Sequence, residues 1–333
     1  MSDGPRPRSS PARGFLARSG PAGRAVRGSL ARSGPAGLAA LAALPLLGGC
    51  TTGVETGPTP SLREVSSFTY VLQGYPGGRL DAVAKAPHQL AIVDLSRDGT
   101  TGGYFSAEEI GRVRSSGKLV LAYFEIGSIE EFRTEFGPLR ERDADLLLNT
   151  WPDWPDEHFV KYWAPRWWSQ VVKPRLDQAL GAGFDGVYLD TPLAYEEIDL
   201  ARLPGETRDG LARRMVALIS KISEYAKNIR PDFYVVPQNS PELRDFSGYV
   251  EAIDGIGMEE LFFRATDRPC RENWCQENLT HALALRKQGK AILATDYATS
   301  PENIRAACAH YRAAGMAGNV TTVDLDRISP PCQ

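Results

Sequence analysis

The sequence predicts an α/β protein built as a single-domain (β/α)8 TIM barrel, and three observations carry that prediction. Short apolar, β-rich runs recur eight times across residues 68–333, segments with helical spacing separate most of them, and polar residues gather at the C-terminal end of each run. The runs are continuously apolar rather than alternating, as strands covered on both faces are.

In chain order the runs are Tyr70-Val71-Leu72, Leu90-Ala91-Ile92-Val93, Leu119-Val120-Leu121-Ala122-Tyr123-Phe124, Gly186-Val187-Tyr188-Leu189, Phe233-Tyr234-Val235-Val236, Gly255-Ile256-Gly257-Met258, Ala291-Ile292-Leu293-Ala294 and Val320-Thr321-Thr322-Val323. Helical spacing covers 107–115, 167–180, 208–229, 277–288 and 301–314. Gly117, Gly181 or Gly183, Gly289 and Gly315 then stand where a left-handed C-cap would end a helix before the next strand. A doubly wound open sheet uses the same units. However, the first run leads into Gly74-Tyr75-Pro76-Gly77-Gly78, which lacks the G-x-G-x-x-G spacing of a phosphate loop, so the barrel is the better fit.

The N-terminal region is different in kind. Residues 1–49 carry Arg6, Arg8, Arg13, Arg18, Arg24, Arg27 and Arg32 against Asp3 alone, then turn apolar and end in Leu47-Gly48-Gly49 before Cys50. This order of basic, apolar and small residues resembles a bacterial lipoprotein signal, with cleavage before Cys50 and lipid on its sulfur; a plain secretory signal is the alternative. Residues 50–67, rich in Thr, Gly, Pro and Ser, read as a flexible tether, leaving 68–333 as the catalytic domain. An exported lipoprotein held by Cys50 at the outer membrane or cell surface is therefore expected, with a monomer as the default state. Taking seven Arg and one Asp from 38 basic and 41 acidic residues leaves 31 and 40, a net charge of −9. That balance argues against a nucleic-acid partner and suits a neutral or cationic polymer.

The remaining cysteines, Cys270, Cys275, Cys308 and Cys332, are even in number, as in an oxidising compartment, and allow three pairings. Cys270 and Cys275 share one polar loop, whereas Cys308 lies in a late helix and Cys332 near the C-terminus, so 270 with 275 and 308 with 332 is the expected set. The spacings match no zinc motif, and four His, none paired at helical spacing, offer no metal triad. No G-x-S-x-G elbow or P-loop is present, and neither metal nor cofactor is expected.

The run ends supply the candidate chemistry. They deliver Gln73, Asp94 through Gly99, Glu125 through Ser128 with Glu130 and Arg133 beyond, Asp190, Gln238-Asn239-Ser240, Glu259-Glu260, Asp296-Tyr297 and Asp324. Asp190 and Glu259 follow their strands directly, so rigid elements aim them, and two carboxylates facing one cleft are what glycosidic cleavage needs. Asp185 and Asp254 would point to the opposite end of the barrel as caps or salt-bridge partners. A long loop before the helix at 167 holds Trp151, Trp154 and Tyr162, and five of the six Trp fall within residues 151–168. Flat aromatic faces beside an acidic cleft suit pyranose rings, although Trp167 and Trp168 also suit packing of their helix onto the barrel. Asp94, Glu125, Glu130, Trp151, Trp154, Tyr162, Asn239, Asp296 and Tyr297 are the candidate substrate-binding residues.

Together these segments resemble glycoside hydrolase family 114 and its bacterial and archaeal relatives formerly labelled cysteinyl-tRNA-synthetase-related. The likeness is carried by Val93-Asp94-Leu95-Ser96-Arg97-Asp98-Gly99, Ala122 through Arg133, Val160-Lys161-Tyr162-Trp163, Gly183 through Asp190, Val236-Pro237-Gln238-Asn239 and Gly257 through Phe262. The resemblance implies a (β/α)8 glycosidase of the kind that cuts α-1,4-linked polygalactosamine, with Asp190 and Glu259 as catalytic carboxylates. The bacterial branch's Thr191-Pro192, where fungal members commonly carry Asn, leaves the sugar itself open. A polysaccharide-binding lipoprotein that has lost catalysis is the reading from a different class; it would keep the aromatic loop without needing the acid pair.

Overall fold

The computed structural model describes residues 59–332. Eight parallel strands form the frame: β1 (Phe68–Val71), β2 (Leu90–Asp94), β3 (Leu119–Glu125), β4 (Gly186–Asp190), β5 (Tyr234–Pro237), β6 (Gly255–Glu259), β7 (Ala291–Tyr297) and β8 (Ala317–Thr321). They pair in two arcs, β1 to β5 and β6 to β8. Single parallel bridges join the arcs, Gln238 to Gly257 and Ser67 to Gly318, and backbone hydrogen bonds from Asn239 N to Gly257 O (2.7 Å) and Gly318 N to Ser66 O (3.1 Å) reinforce them. The ring is thereby closed, and among the described residues no barrel strand is left as a free edge.

The core divides into two layers. Inside the ring, Leu90, Ile92, Leu121, Val236 and Leu293 pack with the rings of Tyr70, Tyr123 and Tyr188, whereas alternate residues such as Ala91, Val93 and Val187 face the helices. Gly257 has no side chain because one would collide with the Tyr188 ring and hydroxyl. The helices follow local chemistry. The helix Arg208–Ile229 starts on the Thr207 hydroxyl, which accepts from Gly210 N (3.0 Å), and buries Leu211, Met215, Leu218, Ile219, Ile222 and Ala226 on one face. The helix Pro301–Ala314 opens on a proline and closes on Gly315 at φ 63°.

Three expectations are corrected. The last strand spans Ala317–Thr321, not the run from Val320 to Val323, so Asp324 is not at its end. Its opening residues Ala317, Gly318 and Asn319 carry no β-rich signal, and Gly318 is small because Tyr311 packs where a side chain would go. The long loop after β3 is an inserted three-stranded antiparallel sheet of Ser128–Glu130, Leu147–Trp151 and Trp154–Val160. The stretch assigned to a flexible tether ends earlier: Ser61 and Glu64 form a capping box around the turn Leu62–Glu64, Leu62 and Val65 are buried, and Ser67 bridges to β8.

The disulfides are Cys270–Cys275 and Cys308–Cys332, with Cα separations of 5.9 and 5.2 Å, matching the expected pairing. At the N-terminal end of the barrel, Asp185 accepts from Val120 N (2.9 Å) and pairs with Arg114, while Asp254 accepts from Val235 N (2.8 Å) and pairs with Lys227. Both tie neighbouring strands together. No helix among the described residues is long and apolar enough to cross a membrane. The expected signal segment and Cys50 lie outside the described residues.

Candidate active site

Asp190 is the last residue of β4 and pairs in register with Glu125 of β3. The Tyr123 hydroxyl donates to its Oδ2, and the backbone N–H of Thr191 donates to its Oδ1 (2.6 Å). Immediately after this bond the chain turns, with Thr191 at φ 61°, a conformation uncommon for any residue but glycine. The Thr191 hydroxyl holds the turn by donating to the Asp190 carbonyl (2.8 Å) and accepting from Gly127 N (3.0 Å) and the Ser128 hydroxyl (2.9 Å).

Glu259 ends β6 under a comparable arrangement. Its Oε2 accepts from Asn239 Nδ2 (3.0 Å) and from Gln238 Nε2, and its Oε1 accepts from the Tyr297 hydroxyl. Asn239 Oδ1 in turn accepts from Glu259 N (3.0 Å), and the Tyr70 hydroxyl donates to Gln238 Oε1 (3.1 Å). Asn239, Ser240 and Glu260 all have positive φ, at 58°, 52° and 57°. The ends of β4, β5 and β6 therefore each turn through the left-handed region beside a site carboxylate. Backbone strain of this kind clusters where a fold fixes functional groups.

One cleft at the C-terminal mouth of the barrel is lined by Asp190, Glu259, Tyr123, Gln238, Asn239, Leu193 and, from the inserted sheet, Glu130, Trp151, Trp154 and Glu157. Trp151 and Trp154 are directly opposite each other across the hairpin turn, and Trp151 packs on Phe159 with ring centroids 5.4 Å apart. Of the expected binding residues, Glu130, Trp151, Trp154 and Asn239 line this cleft and Tyr297 reaches it through Glu259.

The other four are committed elsewhere. Asp94 is gripped by both terminal nitrogens of Arg133 (3.1 and 3.0 Å), which also binds Glu125 (3.0 Å) and Glu130. Glu125 lies 3.4 Å from Arg175 as well, so both acids belong to a buried ionic brace beside the mouth. Tyr162 is buried with its hydroxyl on the Leu211 carbonyl (2.7 Å), fastening the inserted segment to a helix. Asp296 alternates away from Tyr297 towards the helix layer, where it accepts from Phe262 N (2.8 Å), Phe263 N (2.7 Å) and the Tyr311 hydroxyl (2.6 Å).

Electrostatics separate the acids further. Burial, followed by the charges of Glu130 and Asp190, pushes the Glu157 carboxyl well above the ordinary carboxylate range, and the Ser128 hydroxyl offsets this only in part. Burial raises Glu260 to about 7, with the Glu259 charge adding to it while Ala265 N–H and Arg264 oppose. Burial also raises Asp296 to about 6 against its three donors. No metal-type convergence involves these acids. Among the described residues the His, Cys or carboxylate group close enough to ligate one ion is Cys270, Glu272 and Cys275, whose two sulfurs are already joined to each other.

Tyr123, Thr191 and Glu157 are site residues the sequence did not single out. Tyr123 had a signal, since it shares a strand face with Glu125 two residues on. Glu157 had none: Trp154-Pro155-Asp156-Glu157-His158 shows neither apolar alternation nor a strand-end position.

The family model for glycoside-hydrolase family GH114 matches residues 51–333. The chain belongs to GH114. It is thus a glycoside hydrolase. This GH114 chain is 33% identical over 271 residues to an uncharacterised protein of Deinococcus radiodurans, covering 81% of this chain and 84% of the relative. It is 31% identical over 243 residues to one of Thermotoga maritima, covering 71% and 74%. Among solved structures it is similar to the glycoside hydrolase domain of PelA from Pseudomonas aeruginosa, with TM-score 0.63, 18% identity, and coverage of 81% of this chain and 100% of that domain. It is also similar to Aspergillus fumigatus Ega3 in complex with galactosamine, with TM-score 0.61, 14% identity, and coverage of 83% and 98%. At such identities these likenesses speak to the shared fold.

Proposed function

We propose that this GH114 enzyme is exported, anchored by lipid on Cys50, and cleaves an α-1,4-linked polysaccharide containing galactosamine. Asp190 acts as nucleophile and Glu259 as general acid/base of a retaining hydrolysis. Asp190 attacks the anomeric carbon as Glu259 gives its proton to the departing glycosidic oxygen, forming a glycosyl ester. Glu259 then takes a proton from water, whose oxygen attacks the same carbon and frees Asp190. The observation that carries this reading is that Asp190 and Glu259, on alternate strands, line one cleft, each fixed by donors from the barrel wall. The amino-sugar assignment is supported by the galactosamine bound to Ega3, by the tryptophans of the cleft, and by the net charge of −9 left once the basic leader is removed, which would attract a polycation.

The test is Asp190→Asn and Glu259→Gln, made separately and assayed for reducing ends released from deacetylated α-1,4-galactosaminoglycan. Each should lower turnover by at least about 10³-fold, and nuclear magnetic resonance should show the α-anomer released first by the unmodified enzyme. Unaltered turnover in either variant rejects the assignment. First release of the β-anomer would replace retention with inversion.

A further inference from the structure

A two-carboxylate hydrolysis leaves two acids of the cleft without a catalytic task, Glu130, which Arg133 holds, and Glu157. Glu157 stands on the inserted sheet with its Cα opposite that of Glu130, 8% exposed, in the cleft shared by Asp190 and Glu259. Its hydrogen-bond partner is the Ser128 hydroxyl, whose oxygen also lies 2.9 Å from the hydroxyl of Thr191, the residue that fixes Asp190. The nearby cation, Arg133, is spent on Asp94, Glu125 and Glu130, and no Arg, Lys or His pairs with Glu157 among the described residues. A buried carboxyl facing two further acids is costly to keep, and such an arrangement gains only when something positive enters.

We infer that Glu157 is a specificity residue that receives the ammonium group of a 2-amino sugar whose anomeric carbon lies at Asp190. This rests on the amino-sugar reading above and adds the residue that would enforce it. The chemistry fits the placement. In a 2-amino sugar the nitrogen is carried by the carbon bonded directly to the anomeric centre, so Asp190 can reach that centre only with the nitrogen close beside it. Glu157 borders that place, with Ser128 and Thr191 linking the two acids, and Trp151 and Trp154 of the same hairpin line the same cleft. Charge balances on binding: the empty cleft holds a proton on Glu157, the incoming ammonium displaces it to water, and one ammonium–carboxylate pair remains. Glu130, Asp190 and, more weakly, Glu125 are the charged groups whose fields set that proton's hold.

The experiment compares the full chain with Glu157→Gln on deacetylated α-1,4-galactosamine oligomers and on their fully N-acetylated counterparts. Glu157→Gln should raise KM for the deacetylated oligomer at least about tenfold more than it raises KM for the acetylated one. Over the range in which the sugar amine stays protonated, the unmodified enzyme's KM for the deacetylated oligomer should fall as rising pH ionises Glu157, and the variant should lose that dependence. Glu157→Asp, which keeps the charge on a shorter arm, should fall between the two. Equal losses on both oligomers with a flat pH profile would reduce Glu157 to a structural role, and no change on either would remove it altogether. If the unmodified enzyme cleaves neither oligomer, the substrate reading fails on its own. Calorimetric binding of galactosamine against galactose then decides Glu157: an amine preference lost in Glu157→Gln sustains the inference, and no preference overturns it.

Discussion

Glu260 follows the proposed acid/base directly, turns at φ 57° and is buried with its Oε1 accepting from Ala265 N (2.8 Å). Its carboxyl is raised from an ordinary 4.5 to about 7, so the folded chain favours the protonated form more than the unfolded chain does. That contribution to stability is fully present below about pH 4.5 and is lost as pH climbs through about 7. Glu260→Gln keeps an acceptor for Ala265 but cannot ionise. Urea melts should therefore show the variant gaining on the parent by on the order of 3 kcal/mol between pH 4.5 and 8. A difference that stays flat with pH would mean Glu260 does not titrate in that range. The same scale shows what a sequence reveals about a site. Asp190 and Glu259 were legible because each closes an apolar run. Asp94 and Glu125 close runs too, yet their oxygens go to Arg133, a choice made by a side chain arriving from a different segment.

At the level of elements, the barrel wall is packed to a tolerance that Gly257 exposes. A methyl there would strike the Tyr188 ring and hydroxyl, and Tyr188 is fully buried beside Tyr70 and Tyr123, at centroid distances of 5.2 and 6.5 Å. Gly257→Ala should destabilise by about 1–3 kcal/mol through overpacking. Since β6 also carries Glu259, kcat should drop as the strand shifts; denaturant melts and turnover of the purified variant check both. A variant as stable and active as the parent would show the lumen to be looser than its contacts imply. The strands were readable where β-branched and large apolar residues filled them. Most of β8, built from Ala317, Gly318 and Asn319, was not, because its smallness answers to Tyr311 rather than to strand propensity. The inserted sheet escaped for a related reason: one face of Trp154–Val160 covers an acidic cleft, so polar residues occupy positions where alternation is normally sought.

For the molecule as a whole, two crosslinks act on loops of different length. Cys308–Cys332 spans a sequence separation of 24 and ties the last helix to the C-terminal segment, while Cys270–Cys275 spans 5. Chain-entropy reasoning gives the longer loop about 3 kcal/mol and the shorter about 2 kcal/mol. Replacing the 308–332 pair by serines should therefore cost more in melting temperature than replacing the 270–275 pair, and calorimetry of the two double variants would reveal a reversed order. The pairing could be read from cysteine placement alone. The start of the domain could not, since the turn at residues 62–64 looks like linker until Leu62 and Val65 are seen inserted beneath the strands. With residues 61–67 built into the floor of the barrel, only residues 51–60 lie between Cys50 and the fold, a stretch spanning at most about 35 Å. That stretch joins the face of the barrel opposite the cleft, so a lipid on Cys50 would hold the enzyme without its tether having to cross the mouth where the polymer enters.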